Sequence, residues 1–107
     1  MFTRKTLENT INNFILELKS KGYSPSKAVL FGSYAKGNPH EHSDIDLAIW
    51  DDKFTGCIPM DVEEMLKMKV KFPRLMELHT YHSDETMETD PFIGEIEKQG
   101  ILINTNI

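Results

Sequence analysis

One cysteine, Cys57, stands among 107 residues. No disulfide framework can form within such a chain, and the spacings of Cys57 and the four histidines match no zinc-binding pattern. Basic residues are in deficit: 12 Lys and Arg face 17 Asp and Glu, for a formal charge of −5. That balance excludes the basic footprint with which proteins wrap a nucleic-acid backbone, so no nucleic acid is expected as a partner. Long apolar runs are missing too. No stretch approaches the roughly 20 residues that span a bilayer, and the opening MFTRKTLENTINNF is too polar for a secretory signal. Internal repeats, low-complexity tracts and linkers are also absent. The expectation is one domain over residues 1–107, with a modest core, in a reducing cytoplasm.

What is present is concentrated in the segment VLFGSYAKGNPHEHSDIDLAIW. Val29, Leu30 and Phe31 form a short apolar run that stops at Gly32-Ser33, as a buried strand entering a turn does. Ten residues, mostly polar or turn-forming, separate Ser33 from Asp44. Apolar residues then return in alternation. Ile45, Leu47 and Ile49 fall on one face of a strand, and Asp44, Asp46 and Ala48 on the other. The two carboxylates point the same way, with Cα atoms roughly 6.5–7 Å apart given the rise of a strand. Like charges this close repel, and they persist most readily where a cation sits between them.

The remainder reads as a frame for that segment. Leu7, Ile11, Phe14, Ile15 and Leu18 make one stripe of an amphipathic helix, capped by Thr3 or Thr6 and ended by Gly22 in a left-handed turn. Asp51-Asp52-Lys53 leaves the Asp46 strand, and residues 54–59 make a loop. Asp61 then caps a second helix, with Glu64 three residues on and Val62, Met65 and Leu66 toward the core. Lys67 to Phe72 alternate like a strand, but length and cap favour helix through about Val70, broken by Pro73. Leu75 to Tyr81 is a strand with Leu75, Glu77, His79 and Tyr81 on one face and Met76, Leu78 and Thr80 on the other. Asp90-Pro91 opens a helix to Gln99, Gly100 ends it, and Ile101-Leu102-Ile103 closes the chain as a short strand. The fold class expected is α+β, a small mixed sheet with helices packed mainly on one side.

Asp44 and Asp46 alone read more often as a solvated strand edge than as a site; joined by Glu77, as the resemblance given below implies, they suit a divalent ion that takes hard oxygen ligands, Mg2+ or Mn2+. His79 shares the face of Glu77 and is a candidate to support it. His40 and His42 sit in the polar loop, where solvation is the usual state, and His82 and Cys57 carry no signal. The six methionines read as core filling or interface. Lys67, Lys69 and Lys71 read as a solvated face.

The combination of Gly32-Ser33, a ten-residue spacer and Asp44-Ile45-Asp46 resembles the minimal nucleotidyltransferases of the DNA polymerase beta-like superfamily. GSYAKG is similar to that family's Gly-Ser turn, SDIDLAI to its metal-binding strand, MELHTY to the strand of its third carboxylate, and PFIGEIEKQGILI to its closing helix and strand. The resemblance implies a nucleoside triphosphate as substrate, most simply ATP giving AMP to an acceptor hydroxyl. It implies Asp44, Asp46 and Glu77 as catalytic metal ligands. Gly32 would let backbone approach the triphosphate, and Ser33 would add a hydroxyl donor. Lys36 lies where relatives carry Arg or Lys; it would counter phosphate charge or simply be solvated. His79 completes the Glu-x-His of small relatives. Such relatives include antitoxin partners of HEPN-type toxin ribonucleases, so two readings follow. The chain modifies a partner protein, or it acts as a binding module that neutralises a small helical toxin without catalysis. Antibiotic-modifying relatives carry an extra helical domain for which 107 residues leave no room.

Overall fold

The computed structural model describes residues 3–40, 43–67 and 76–107. Elements follow in the order α1 (Arg4–Ser20), β1 (Lys27–Phe31), α2 (Gly32–Lys36), β2 (Ile45–Trp50), α3 (Ile58–Lys67), β3 (Met76–Tyr81), α4 (Pro91–Gln99) and β4 (Ile101–Leu102). The strands form one mixed sheet in the order β3-β2-β1-β4. β1 runs antiparallel to both β2 and β4, whereas β2 and β3 are parallel. A parallel pair needs a crossover rather than a hairpin, and α3 lies within that crossover. This is the α+β architecture expected from the sequence.

The alternation in β2 divides the core in two. Ile45, Leu47 and Ile49 join Ala28 and Leu30 of β1 and Met76 and Leu78 of β3 beneath the buried stripe of α1. Val62 of α3 packs against the same cluster. On the opposite face Val29, Ala48, Trp50 and Tyr81 pack under Ile93 and Ile96 of α4. Among the described residues α1, α2 and α3 thus serve one face, and α4 covers part of the other. The uncovered part is where the acidic residues lie.

Local chemistry sets the element ends. Thr3 caps α1, its hydroxyl accepting from the Thr6 N–H at 3.2 Å, which decides between the two threonines. Gly22 follows α1 at φ 91°, a conformation that costs other residues. Asp90 accepts from the Phe92 N–H at 3.0 Å, with Pro91 opening α4. Gly100 ends α4 for want of space: a Cβ there would stand 2.2 Å from Val29 Cγ1.

The start of α3 departs from expectation. The helix begins at Ile58, so residues 58–59 are helical rather than loop and Asp61 lies inside the first turn instead of capping it. Pro59 is tolerated there because first-turn N–H groups have no helical partner. The Asp61 carboxylate has a different task. It is 4% exposed and accepts from Thr55 N at 2.9 Å, Thr55 Oγ1 at 3.0 Å, Gly56 N at 3.2 Å and Thr80 Oγ1 at 2.6 Å. Asp51, 1% exposed, is likewise structural, accepting from the N–H of Ser24 at 2.7 Å and of Lys53 at 2.9 Å. The side chains of Glu64, Met65, Leu66 and Lys67, and the expected stretch from residue 68 through Val70 and Pro73 to Leu75, lie outside the described residues.

Asp61→Ala should leave these donors without their shared acceptor and cost about 2–4 kcal/mol of stability, measured by urea unfolding. Thr80→Val removes only one of the bonds and should cost no more than about 1.5 kcal/mol. Equal losses in the two variants would contradict the role given to Asp61 as the joint between loop, helix and strand.

Candidate active site

The strand register assembles the site. Phe31 stands opposite Asp46, and Asp46 opposite Glu77. Directly opposed residues share a face of the sheet, so Phe31, Asp46 and Glu77 form a row across three strands. The next row holds Val29, Ala48 and His79, and the one after it Lys27, Trp50 and Tyr81. α4 roofs these two rows with Ile93 and Ile96; in the Asp46 row it reaches Phe31, and among the described residues no helix covers Asp46 and Glu77.

Within that row the carboxylates meet. Asp46 is half-buried opposite Glu77, where its protonated form can hydrogen-bond to that carboxylate. Burial, then that bond, then the charges of Glu77 and Asp44 raise the Asp46 pKa from 3.8 to about 6. Such a bond needs a proton on one of the two groups, and the raised pKa of Asp46 keeps it there in mildly acidic water. Asp44, exposed just before β2, acts on the pair through its charge. His79 Nε2 lies 3.8 Å from Glu77 Oε1. Burial pushes the His79 pKa below the usual histidine range, outweighing the charges of Glu77 and Asp90.

Gly32 abuts the pair. Its φ of +74° favours glycine, and a Cβ there would fall 2.0 Å from Asp46 Oδ2. The absent side chain is thus what brings main chain and carboxylate together. Ser33, half-buried, is the second residue of the short helix α2, and its hydroxyl has no hydrogen bond among the described residues. Lys36 is exposed at the other end of that helix and makes no ion pair among the described residues. His40 is exposed in a turn closed by its N–H to Ser43 Oγ at 2.9 Å; His42 lies outside the described residues. Cys57 is exposed and free, and His82 sits in a turn beside Asp84. Of the methionines, Met76 is core, whereas Met60 and Met87 are exposed.

Gly32, Asp46, Glu77 and His79 are therefore brought together, with Ser33 and Asp44 at the rim. Sequence reasoning missed the aromatic step beside them. The rings of Phe31 and His79 are 5.0 Å apart, those of Phe31 and Phe92 6.0 Å, and those of His79 and Phe92 5.5 Å. Phe92 lies in the first turn of α4. The available signal was its place directly after Asp90-Pro91, which points a first-turn side chain back past the helix start.

Comparison with known proteins bears on this arrangement. The polymerase beta nucleotidyltransferase pattern matches residues 11–106. The chain belongs to that family. The nucleotidyltransferase is also 39% identical over 72 residues to a Methanocaldococcus jannaschii protein named "Putative protein adenylyltransferase". That alignment covers 65% of this chain and 72% of the relative. No helix among the described residues is long and apolar enough to cross a membrane.

The raised pKa of Asp46 has a signed consequence. Between about pH 4 and pH 6 the folded protein holds a proton on Asp46 that the unfolded chain has released. This pair's contribution is favourable below that window and is lost as pH rises through it. Melting temperatures of wild type minus those of Asp46→Asn should therefore fall from pH 4 to pH 6.5 and then level off. A difference that rises with pH would contradict a proton held on Asp46.

Proposed function

We propose that this nucleotidyltransferase transfers AMP from ATP to a hydroxyl on a partner protein. The observation that carries the reading is the close approach of the Gly32 backbone to the Asp46 carboxylate, with Glu77 directly opposite Asp46 on the neighbouring strand. A place where phosphates can approach main chain and a place where carboxylates gather are thus one place. The relative's name supports protein as the acceptor class and adenylyl as the group moved.

The donor set suits Mg2+ or Mn2+. Its members are hard oxygens, and Asp46 resists ionisation because it is partly buried and, to a lesser degree, because Glu77 and Asp44 crowd it with like charge. Among the described residues no three carboxylate, histidine or cysteine side chains already converge as a closed metal cage. Magnesium does not require one, since it is held by one or two carboxylates and completes its shell with water and substrate phosphates. Asp46 and Glu77 would provide the pair, and Asp44 the third ligand from the strand's exposed lead-in. A bound ion would supply neutralisation of the triphosphate and a lowered pKa at the acceptor hydroxyl.

The chain's own residues do the rest. Gly32 leaves room for the phosphates, Ser33 offers a hydroxyl donor to a phosphate oxygen, and Lys36 adds positive charge one helical turn on. The acceptor oxygen forms its bond to the α-phosphorus as the bond from that phosphorus to the β-bridging oxygen breaks, releasing pyrophosphate. The hydroxyl proton leaves toward the Asp46–Glu77 carboxylates. Holding the hydroxyl in line is worth several kcal/mol of barrier, and a protein partner brings its own surface to do so. A small helical HEPN-type ribonuclease is the partner class to try first.

With ATP and Mg2+, wild type should add one nucleotidyl group to that partner, read by intact-mass spectrometry. Asp46→Asn should lower the rate by at least about a hundredfold while keeping the complex. Ser33→Ala should weaken ATP binding by about tenfold and leave transfer detectable. A tight complex with an unmodified partner, and equal protection of cells by wild type and Asp46→Asn, would replace transfer with neutralisation by binding alone.

A further inference from the structure

We propose that Phe92, backed by Phe31 and His79, is the wall against which the base of the nucleotide stacks. The inference rests on the nucleotide site proposed above and assigns its apolar half.

Among the described residues two aromatic groupings lie on this face of the sheet, and they differ in a telling way. Trp50 and Tyr81 stack at 5.0 Å with planes 28° apart. Both are buried, at 2% and 6% exposure, beneath α4. This is an aromatic pair consumed by the core. Phe92 is 45% exposed. Its neighbours meet it at interplanar angles of 83° for Phe31 and 44° for His79, so neither lies parallel against it. Phe31 and His79 support the ring from the sheet side, and the rest of it faces solvent at the edge of a row of carboxylates.

Position favours a base over other flat ligands. Phe31 is the residue immediately before Gly32, where phosphates have room to approach, and its ring touches that of Phe92. In a nucleotide the base hangs from the phosphates through a single sugar, so a phosphate-anchored ligand places its only aromatic part within a ring's reach of that point. Phe92 is also pre-positioned. Pro91 opens the helix in front of it, and Asp90 Oδ1 accepts its N–H at 3.0 Å, so little freedom remains to be lost on binding. Stacking on an aromatic side chain accepts every base, because each has a π-face. The wall therefore contributes affinity for nucleosides as a class rather than selection of one base.

The test compares ATP with inorganic triphosphate, each with Mg2+, titrated calorimetrically into the full chain. Wild type should bind ATP more tightly than triphosphate. Phe92→Ala should weaken ATP about five- to hundredfold and leave triphosphate unchanged, which also certifies that the variant is folded. Phe92→Leu, which keeps apolar packing on Phe31 and His79, should lose ATP affinity as well, and Phe92→Trp should retain it. ATP affinity that survives Phe92→Ala and Phe92→Leu overturns the proposal. So does equal loss for ATP and triphosphate, or a defect confined to transfer onto the acceptor, which would place the ring on the acceptor's side. Wild type that binds neither ligand overturns the nucleotide site itself.

Discussion

A carboxyl group drawn partly out of water beside a second one works against the fold that holds it, and the architecture bears that load. Asp46 lies on β2, paired on both sides by β1 and β3, so its backbone cannot drift to relieve the repulsion. Raising its pKa from 3.8 to about 6 corresponds to at most about 3 kcal/mol, and less once solvent screening of a half-exposed group is counted. Ile45, Leu47 and Ile49, interleaved with the acids, are each fully buried on the opposite face. At about 1.5–3 kcal/mol for each such side chain, that burial exceeds the electrostatic cost. One strand therefore carries both the penalty and its compensation.

The second half of the arrangement is the partial roof. α4 seals the two rows of side chains farther from Gly32 and stops at the third. Its first turn supplies both the limit of the core and an exposed aromatic edge to the open row. The same helix start thus separates apolar interior from charged cleft, with Phe92 at the boundary. Asp90, which caps it, also contributes a charge felt by His79 and Tyr81.

Much of this was legible in the sequence because it depends on short-range periodicity. The alternation from Asp44 to Ile49 stated which residues face which way, and the α1 stripe and the Asp90-Pro91 start needed only local rules. The fold class followed from the order of those elements. The meeting of Asp46 with Glu77 depended on register between strands far apart in sequence. Spacing could place both on a strand face, but only the pairing of β2 with β3 makes them neighbours. Asp61 was misread for a related reason: a carboxylate near a helix start looks like a cap, whereas here its donors come from a loop before the helix and from Thr80 on another strand. The aromatic step was invisible in the same way, because Phe31, His79 and Phe92 belong to three separate elements.

The strict alternation of β2 also limits how such a domain can change over generations. Inserting or deleting one residue within Ile45–Trp50 would turn every side chain beyond the lesion to the other face, carrying apolar residues into the cleft and acids or Trp50 beneath α1. No single later substitution undoes that exchange. Length variation among descendants of this chain is therefore to be looked for in the connection between Gly37 and Ser43, which can grow or shrink without touching the parity of the strand. The distance from Ser33 to Asp44 is free to wander in a way that the distance from Asp44 to Asp46 is not.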